Sequence, residues 1–141
     1  LTMDDQVIIR LLISAGSLVL GAACLVYAVW ARNGGSTRAR EWMGDAFGGR
    51  LRDERWAVLG APSFGLLCLC FGASILPVVG LWLALIAIPV GVLAFGLLFL
   101  SAMHFIPLPD LVYPRWARPL RERNRRAEQG WKKEIRRRSG R

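Results

Sequence analysis

The most constraining feature of this sequence is a long stretch without any charged side chain, which runs from Trp56 to Met103. As a single helix rising 1.5 Å per residue it would be about 72 Å long. That is more than twice the roughly 30 Å hydrocarbon core of a bilayer, so the stretch must fold back. Pro77 and Gly80 lie where the turn is needed, and proline disfavours helical geometry in the residue before it. We predict membrane-spanning helices over 56–76 and 79–103, joined by a tight turn at 77–78.

A second charge-free stretch, 11–31, has the length that one membrane span needs. Its segment LVLGAAC resembles a lipoprotein processing site that ends at Cys24. A signal peptide begins with positive charge and has a short apolar core that ends at the cleavage site. Here Asp4 and Asp5 outnumber Arg10, and the apolar run continues past the cysteine. We therefore predict that 11–31 is a transmembrane helix, the first of three.

Positive side chains are distributed unevenly around these spans. One arginine precedes the first span and no cation lies in the turn, whereas the loop 32–55 has six and the tail 104–141 has twelve. Cations near span ends remain on the cytoplasmic side. The predicted fold is an all-α integral membrane protein with three transmembrane helices, a short extracytoplasmic N-terminus (1–10) and a cytoplasmic tail. Seventeen arginines against two lysines indicate a GC-rich bacterial genome, so we expect a multi-pass protein of the bacterial inner membrane.

Small residues recur every three or four positions along each span, and therefore share one helix face. Helices in lipid associate largely through close backbone approach, which small side chains permit. We predict that these faces pack against protein, in this chain or in a partner, at shallow crossing angles. The predicted packing residues are Ser17, Gly21, Cys24 and Ala28, with Ser14 on the same face, in the first span; Ala61, Gly65, Cys68 and Gly72 in the second; and Gly80, Ala84, Ala87, Gly91 and Ala94 in the third.

The predicted spans contain no Asp, Glu, Lys or Arg. Intramembrane ionisable residues mark ion paths and proton relays, so the sequence argues against an ion-coupled transporter, and we predict no catalytic residue. Cys68 and Cys70 point to different sides of a helix, and zinc usually takes four ligands, so we predict no metal site. His104 follows the third span; it could ligate a haem or chlorophyll-type cofactor, but no second ligand is visible. We favour a polar interfacial residue and predict no cofactor.

Two segments outside the spans have helical periodicity. Apolar residues from Ala39 to Phe47 fall on one helix face, which predicts a short helix in the membrane interface. The segment 119–138 predicts a basic amphipathic helix, with glutamates four residues before cations. The residues predicted to contact lipid or a partner are Arg38, Arg40, Trp42 and Phe47 in the loop, and Arg115, Arg118, Arg121, Arg125, Trp131, Lys132, Lys133, Arg136 and Arg137 in the tail.

Three ligands suit such a tail: anionic phospholipid of the inner leaflet, an acidic protein surface, or nucleic acid. Nucleic acid is least favoured because no recognised binding fold accompanies the charge, and a solvated tail that only sets topology is the simplest interpretation. We predict a non-enzymatic accessory or assembly subunit that packs against other membrane subunits or itself. One alternative is a self-assembling pore former, since the layout of spans and tail is similar in topology to that of class I phage holins. Another is a membrane anchor for a cytoplasmic ligand.

Overall fold

The computed structural model describes residues 2–44, 54–103 and 105–140, which form helices and turns without a strand. The helices are α1 (Met3–Asn33), α2 (Thr37–Arg40), α3 (Ala61–Ile75), α4 (Gly80–Ala102) and α5 (Arg118–Ser139). Two 3₁₀ turns, Glu41–Met43 and Asp110–Val112, lie between helices, and a π-helical turn, Trp56–Gly60, leads directly into α3.

Three helical stretches are long and apolar enough to cross a membrane: Met3–Asn33, Trp56–Ile75 and Gly80–Ala102. The first includes the charge-free stretch 11–31, and the other two lie within the charge-free stretch 56–103. The prediction of three apolar helices is therefore confirmed, and they support a multi-pass membrane protein. The first helix begins eight residues earlier than predicted. Thr2 and Asp5 cap it reciprocally, which satisfies backbone N–H groups that the first turn leaves without partners. The predicted N-terminal segment therefore continues the helix.

The turn between α3 and α4 covers 76–79 and is two residues longer than the predicted turn at 77–78. The Val79 N–H donates to the Pro77 carbonyl at 2.9 Å, and Val78 between them has φ 71°. These are the features of a γ-turn with a positive central φ, which is a rare and strained conformation. Gly80 then donates to the Leu76 carbonyl at 2.9 Å and begins the next helix.

The middle helix, α3, packs against α1 on one side and against α4 on the other. Its register against α1 is set by pairs of small residues. The Ser14 hydroxyl donates to the Gly72 carbonyl at 2.7 Å, and seven residues along each helix Gly21 faces Gly65 in backbone contact. A repeat of seven on both antiparallel helices is the period of left-handed helix packing.

Helix α4 touches the rest of the chain along a narrow strip. Its buried residues are Gly80, Ala87, Ala94 and Ser101, which recur every seven positions. Its large apolar side chains point away from the bundle and are exposed: Leu81, Trp82, Leu85, Ile86, Ile88, Val92, Leu93, Phe95 and Phe99. This helix therefore presents most of its surface to whatever surrounds the protein.

Candidate interaction site at the polar end of the bundle

A compact buried cluster closes the end of the bundle at which α1 and α4 finish and α3 begins. It draws on the end of α1, the segment after α2, the π-helical turn, and the connector before α5. We call this cluster the end core. Its members are Ala31, Trp42, Met43, Ala57, Val58, Leu59, Leu108, Tyr113 and Ala117. The segments that the sequence presents as separate surface elements thus share one apolar interior.

Two tryptophans and an arginine satisfy the last carbonyls of α1, which have no partners within the helix. The Trp42 indole N–H donates to Ala31 at 3.1 Å, the Trp116 indole N–H donates to Arg32 at 2.7 Å, and the Arg40 Nε donates to Gly34 at 2.5 Å. The two indoles also meet edge to face, with ring centroids 5.3 Å apart. The end of α1 therefore binds the side chains of Arg40, Trp42 and Trp116 within the chain itself.

Trp42 accordingly differs from its predicted role as a lipid or partner contact. Its side chain is 6% exposed and lies in the end core. Ala39, on the described part of the predicted loop helix, is also buried, whereas Arg38 is exposed. The apolar face of this segment thus turns toward the chain itself. Phe47 lies outside the described residues.

Arg55 is a buried cation that the sequence analysis did not single out. It is 4% exposed, and its guanidinium donates to the carbonyls of Leu100, Met103 and Ile106 at and beyond the end of α4. A cation is favoured at a helix C-terminus, where the unpaired carbonyls carry partial negative charge. In the sequence, the one feature that indicates this role is the position of Arg55 immediately before an apolar span.

Arg121 fixes the beginning of α5 to the end core. Its guanidinium lies 4.0 Å from the centroid of the Tyr113 ring, donates to the Leu108 carbonyl at 2.8 Å and pairs with Asp110. Its Nε is also 4.0 Å from a Glu54 carboxylate oxygen. We call the side chains of Glu54, Asp110, Tyr113 and Arg121 the arginine hub. Arg121 was predicted to contact lipid or a partner, but only 15% of its side chain is exposed.

Tyr113 is the titratable group that this environment perturbs most. Burial, followed by its hydrogen bond with Glu54, raises the pKa of the Tyr113 phenol far above its usual range. Both causes disfavour the phenolate. The hydroxyl therefore stays protonated and keeps its bond to the carboxylate through the physiological range.

The remaining predicted contacts of the tail lie at the surface of α5 or close before it. Every described side chain from Glu128 to Gly140 is exposed, and we call this part the basic segment. Its Glu134 pairs with Arg138 at 3.3 Å. The predicted residues Arg115, Arg118, Arg125, Trp131, Lys132, Lys133, Arg136 and Arg137 are all exposed. Arg118 nevertheless donates to the Tyr113 carbonyl at 3.2 Å, and Arg125 lies 3.7 Å from Asp110.

The predicted packing residues come together within this chain. Buried are Gly21, Ala28, Ala61, Gly65, Gly72, Gly80, Ala87 and Ala94, and half-buried are Ser17, Cys24, Cys68, Ala84 and Gly91. The face of α1 that these residues define is covered by α3, with Ser14 as the member that forms a hydrogen bond across the contact. The contact of Gly91 with α3 is looser, since a Cβ there would lie 3.8 Å from that of Cys70.

Metal-ligating side chains do not cluster in the part of the chain that the structure describes. The predicted interfacial residue and alternative cofactor ligand, His104, lies outside that part. Comparisons with protein-family models, curated proteins and solved structures find no match to this chain.

Proposed function

We propose that this chain is a non-enzymatic accessory or assembly subunit of a bacterial inner-membrane complex. The observation that carries the proposal is the one-sided packing of α4. The small-residue face of α1 is used within the chain, whereas α4 exposes nearly all of its large side chains. We therefore propose that another subunit binds to the exposed surface of α4 and to the groove between α4 and α3.

That groove gives the exposed surface a shape suited to a protein partner. Gly91 and Ala87 of α4 leave a depression against Leu67 and Phe71 of α3, with Phe95 at its edge. Side chains of a neighbouring helix fill such depressions when helices pack ridge into groove. In lipid, close packing of this kind drives association, which supports a helical partner.

The distribution of charge supports a cytoplasmic location for the end core. Arg32, Arg40 and Arg55 bind carbonyls at this end, and the basic segment extends from it. Cations near span ends favour the cytoplasmic side. We propose the orientation with the N-terminus outside and the tail inside, and with the basic segment on anionic lipid or an acidic partner.

The buried charges support a structural rather than a catalytic assignment. Arg55 and Arg121 bind carbonyls and carboxylates of the chain itself. A catalytic group must reach a substrate, and these guanidinium groups are already engaged within the fold.

The test is affinity purification from membranes in mild detergent, followed by mass spectrometry. We expect a defined set of membrane subunits to accompany the wild-type chain. Gly91→Leu fills the groove and should reduce their recovery. Gly96→Leu is the matched control, since a Cβ at Gly96 meets nothing within 4 Å. Recovery of the wild type only as a free monomer would contradict the proposal.

The membrane-anchor alternative is favoured by the contacts that hold α5 on the bundle. The arginine hub fixes the first turns of this helix, and the basic segment that follows has its described side chains exposed. An anchor would retain a soluble ligand through the basic segment and need no membrane subunit. In the same purification, a single soluble acidic protein would indicate this alternative.

A further inference from the structure

We propose that the basic segment of α5 docks on the surface of an anionic phospholipid bilayer, with Trp131 and Ile135 inserted among the headgroups. This inference rests on the proposed function, because it names the ligand of the tail in that scheme. Four observations support it: the continuity of one helix face, its two apolar side chains, the charge beside them, and the bundle to which the helix is fixed.

The face of α5 that packs on the protein continues into the basic segment. Leu120, Asn124 and Ala127 are half-buried on one face of α5, and Leu120 packs against the end core. At 3.6 residues per turn, Trp131 and Ile135 fall within the same arc of about 80°. Past Ala127 the side chains of this face are exposed, and we call the side of the helix at Trp131 and Ile135 the overhanging face.

The two apolar side chains on the overhanging face are the kind that insert at a membrane surface. Trp131 is 57% exposed and Ile135 is 49% exposed. Tryptophan is enriched at the headgroup level, where an apolar ring and a polar N–H both find suitable surroundings. An isoleucine one turn further along adds aliphatic surface that water does not favour.

The charge next to this face selects an anionic surface. At 3.6 residues per turn, Lys132 and Arg137 flank this face, whereas Lys133 and Arg136 lie on the far side of the helix. All four are exposed, and Glu134, at the edge of the face, is paired with Arg138. Cations beside a membrane are attracted to anionic headgroups, and each strengthens partition about fivefold. This part of the helix is therefore complementary to a phosphate-rich plane.

The position at which α5 is held favours a bilayer as the ligand of the basic segment over a soluble acidic protein or a nucleic acid. The arginine hub fixes the helix beside the ends of α1 and α4. Those ends belong to helices that are apolar enough to span a membrane. Lipid headgroups are thus always close to the basic segment, at an effective concentration that no soluble ligand matches.

The test uses the full chain in nanodiscs with nitroxide labels at two positions of the basic segment. Cys24→Ala, Cys68→Ala and Cys70→Ala first remove the native thiols, and each retains its Cβ. Ile135→Cys then carries a label on the overhanging face. Gln129→Cys carries the matched label, because Gln129 is exposed on the opposite side of α5. The discs contain phosphatidylcholine, either alone or mixed with phosphatidylglycerol.

The expected result is a difference between labels that depends on anionic lipid. With phosphatidylglycerol, collisions of the Ile135→Cys label with a water-soluble nickel chelate should fall about fivefold or more, and collisions with oxygen should rise. The Gln129→Cys label should remain accessible to the chelate in both discs. About 1 M salt, where the Debye length is only about 3 Å, should weaken the protection. The same labelled protein enters both discs, so a folding defect cannot produce the difference.

A charge variant completes the experiment. Lys132→Gln with Arg137→Gln removes the two cations that flank this face and should weaken docking about twenty-five-fold, at about fivefold per cation. The control, Arg38→Gln with Arg115→Gln, removes two exposed charges outside α5 and should leave docking intact.

Equal accessibility of the two labels in both discs would overturn the inference. So would protection that appears only after RNA or an acidic protein is added. If the labels show no docking while partner subunits still copurify, this inference fails alone. If the Ile135→Cys label docks but no subunit copurifies, the proposed function fails alone.

Discussion

Gly21 and Gly65 face each other across α1 and α3 so closely that their backbones touch. A Cβ built on Gly21 would lie 2.7 Å from the Gly65 carbonyl oxygen, and one on Gly65 would lie 2.9 Å from the Gly21 carbonyl oxygen. Both obstacles are backbone atoms, which cannot rotate away as a flexible side chain can. The two helices can therefore approach this closely only because neither residue of this pair has a side chain.

The first prediction is that Gly65→Ala destabilises the bundle by about 1–3 kcal/mol, the usual effect of overpacking a tight contact. Thermal unfolding in detergent, followed by circular dichroism, measures it. Gly16→Ala is the matched control on α1, because a Cβ at Gly16 meets nothing within 4 Å. Equal midpoints for Gly65→Ala and the wild type would show that the contact tolerates a methyl group.

The second prediction concerns Val78 in the turn between α3 and α4. Val78 has φ 71° and is 95% exposed, so Val78→Gly removes backbone strain without removing packing. Strain of this kind costs about 1–3 kcal/mol, so its removal should stabilise the fold. Glycine also has more freedom than valine in the unfolded chain, which destabilises the fold by about 1 kcal/mol. We expect a net stabilisation of about 1 kcal/mol, measured as a rise in the thermal midpoint.

Val79→Gly is the control for this turn. Val79 has a negative φ of −98° with ψ −13°, so glycine there relieves no positive-φ strain and should destabilise the fold through its greater freedom in the unfolded chain. A lower midpoint for Val78→Gly than for the wild type would show that the positive φ carries no strain.

The third prediction concerns Arg55 at the end of α4. Arg55→Met keeps an unbranched apolar stem but leaves the carbonyls of Leu100, Met103 and Ile106 without its guanidinium. These three hydrogen bonds are partly buried, and a buried polar group that loses its partner costs about 1–3 kcal/mol. We expect destabilisation of at least about 2 kcal/mol and faster hydrogen exchange at the end of α4.

Arg10→Met is the control, since Arg10 is exposed on α1 at the other end of that helix. It should change the midpoint by about 0.5 kcal/mol or less, as is usual for exposed positions. Similar thermal midpoints for Arg55→Met and Arg10→Met would show that Arg55 does not stabilise the end of α4.

The sequence predicts the three apolar helices because bilayer thickness imposes a length that charge-free stretches reveal directly. It also predicts small residues such as Gly21 and Gly65 at helix contacts, because their spacing follows the helical period. It does not predict which helix covers them, since lipid, a partner and the same chain demand the same pattern.

The end core could not be predicted for a related reason. An amphipathic helix on a membrane surface and one on a protein core have the same apolar periodicity. Trp42 therefore has the pattern of a lipid contact, although the free carbonyl of Ala31 binds its indole. Arg121 likewise belongs to a basic tail by sequence, and only the fold brings Tyr113 and Asp110 beside it. These are contacts between distant segments, which local pattern does not encode.

The fourth prediction is a loss of stability in alkali that depends on Tyr113. Burial and the Glu54 hydrogen bond raise the pKa of the folded-state phenol, whereas tyrosine in an unfolded chain ionises near pH 10. Above about pH 10 the unfolded chain has released a proton that the folded chain still holds, so stability falls as pH rises. The contribution is complete below that pH. Urea unfolding at a series of alkaline pH values measures the slope.

Tyr113→Phe separates this titration from other alkaline effects. The variant loses the hydrogen bond to Glu54 and should be less stable near neutral pH by about 1 kcal/mol. Its stability should then decline less steeply than that of the wild type above about pH 10, because the titrating phenol is gone. Tyr27→Phe, on the exposed side of α1, is the control for tyrosine removal. Identical slopes for the wild type and Tyr113→Phe would show that the folded chain releases this proton as readily as the unfolded one.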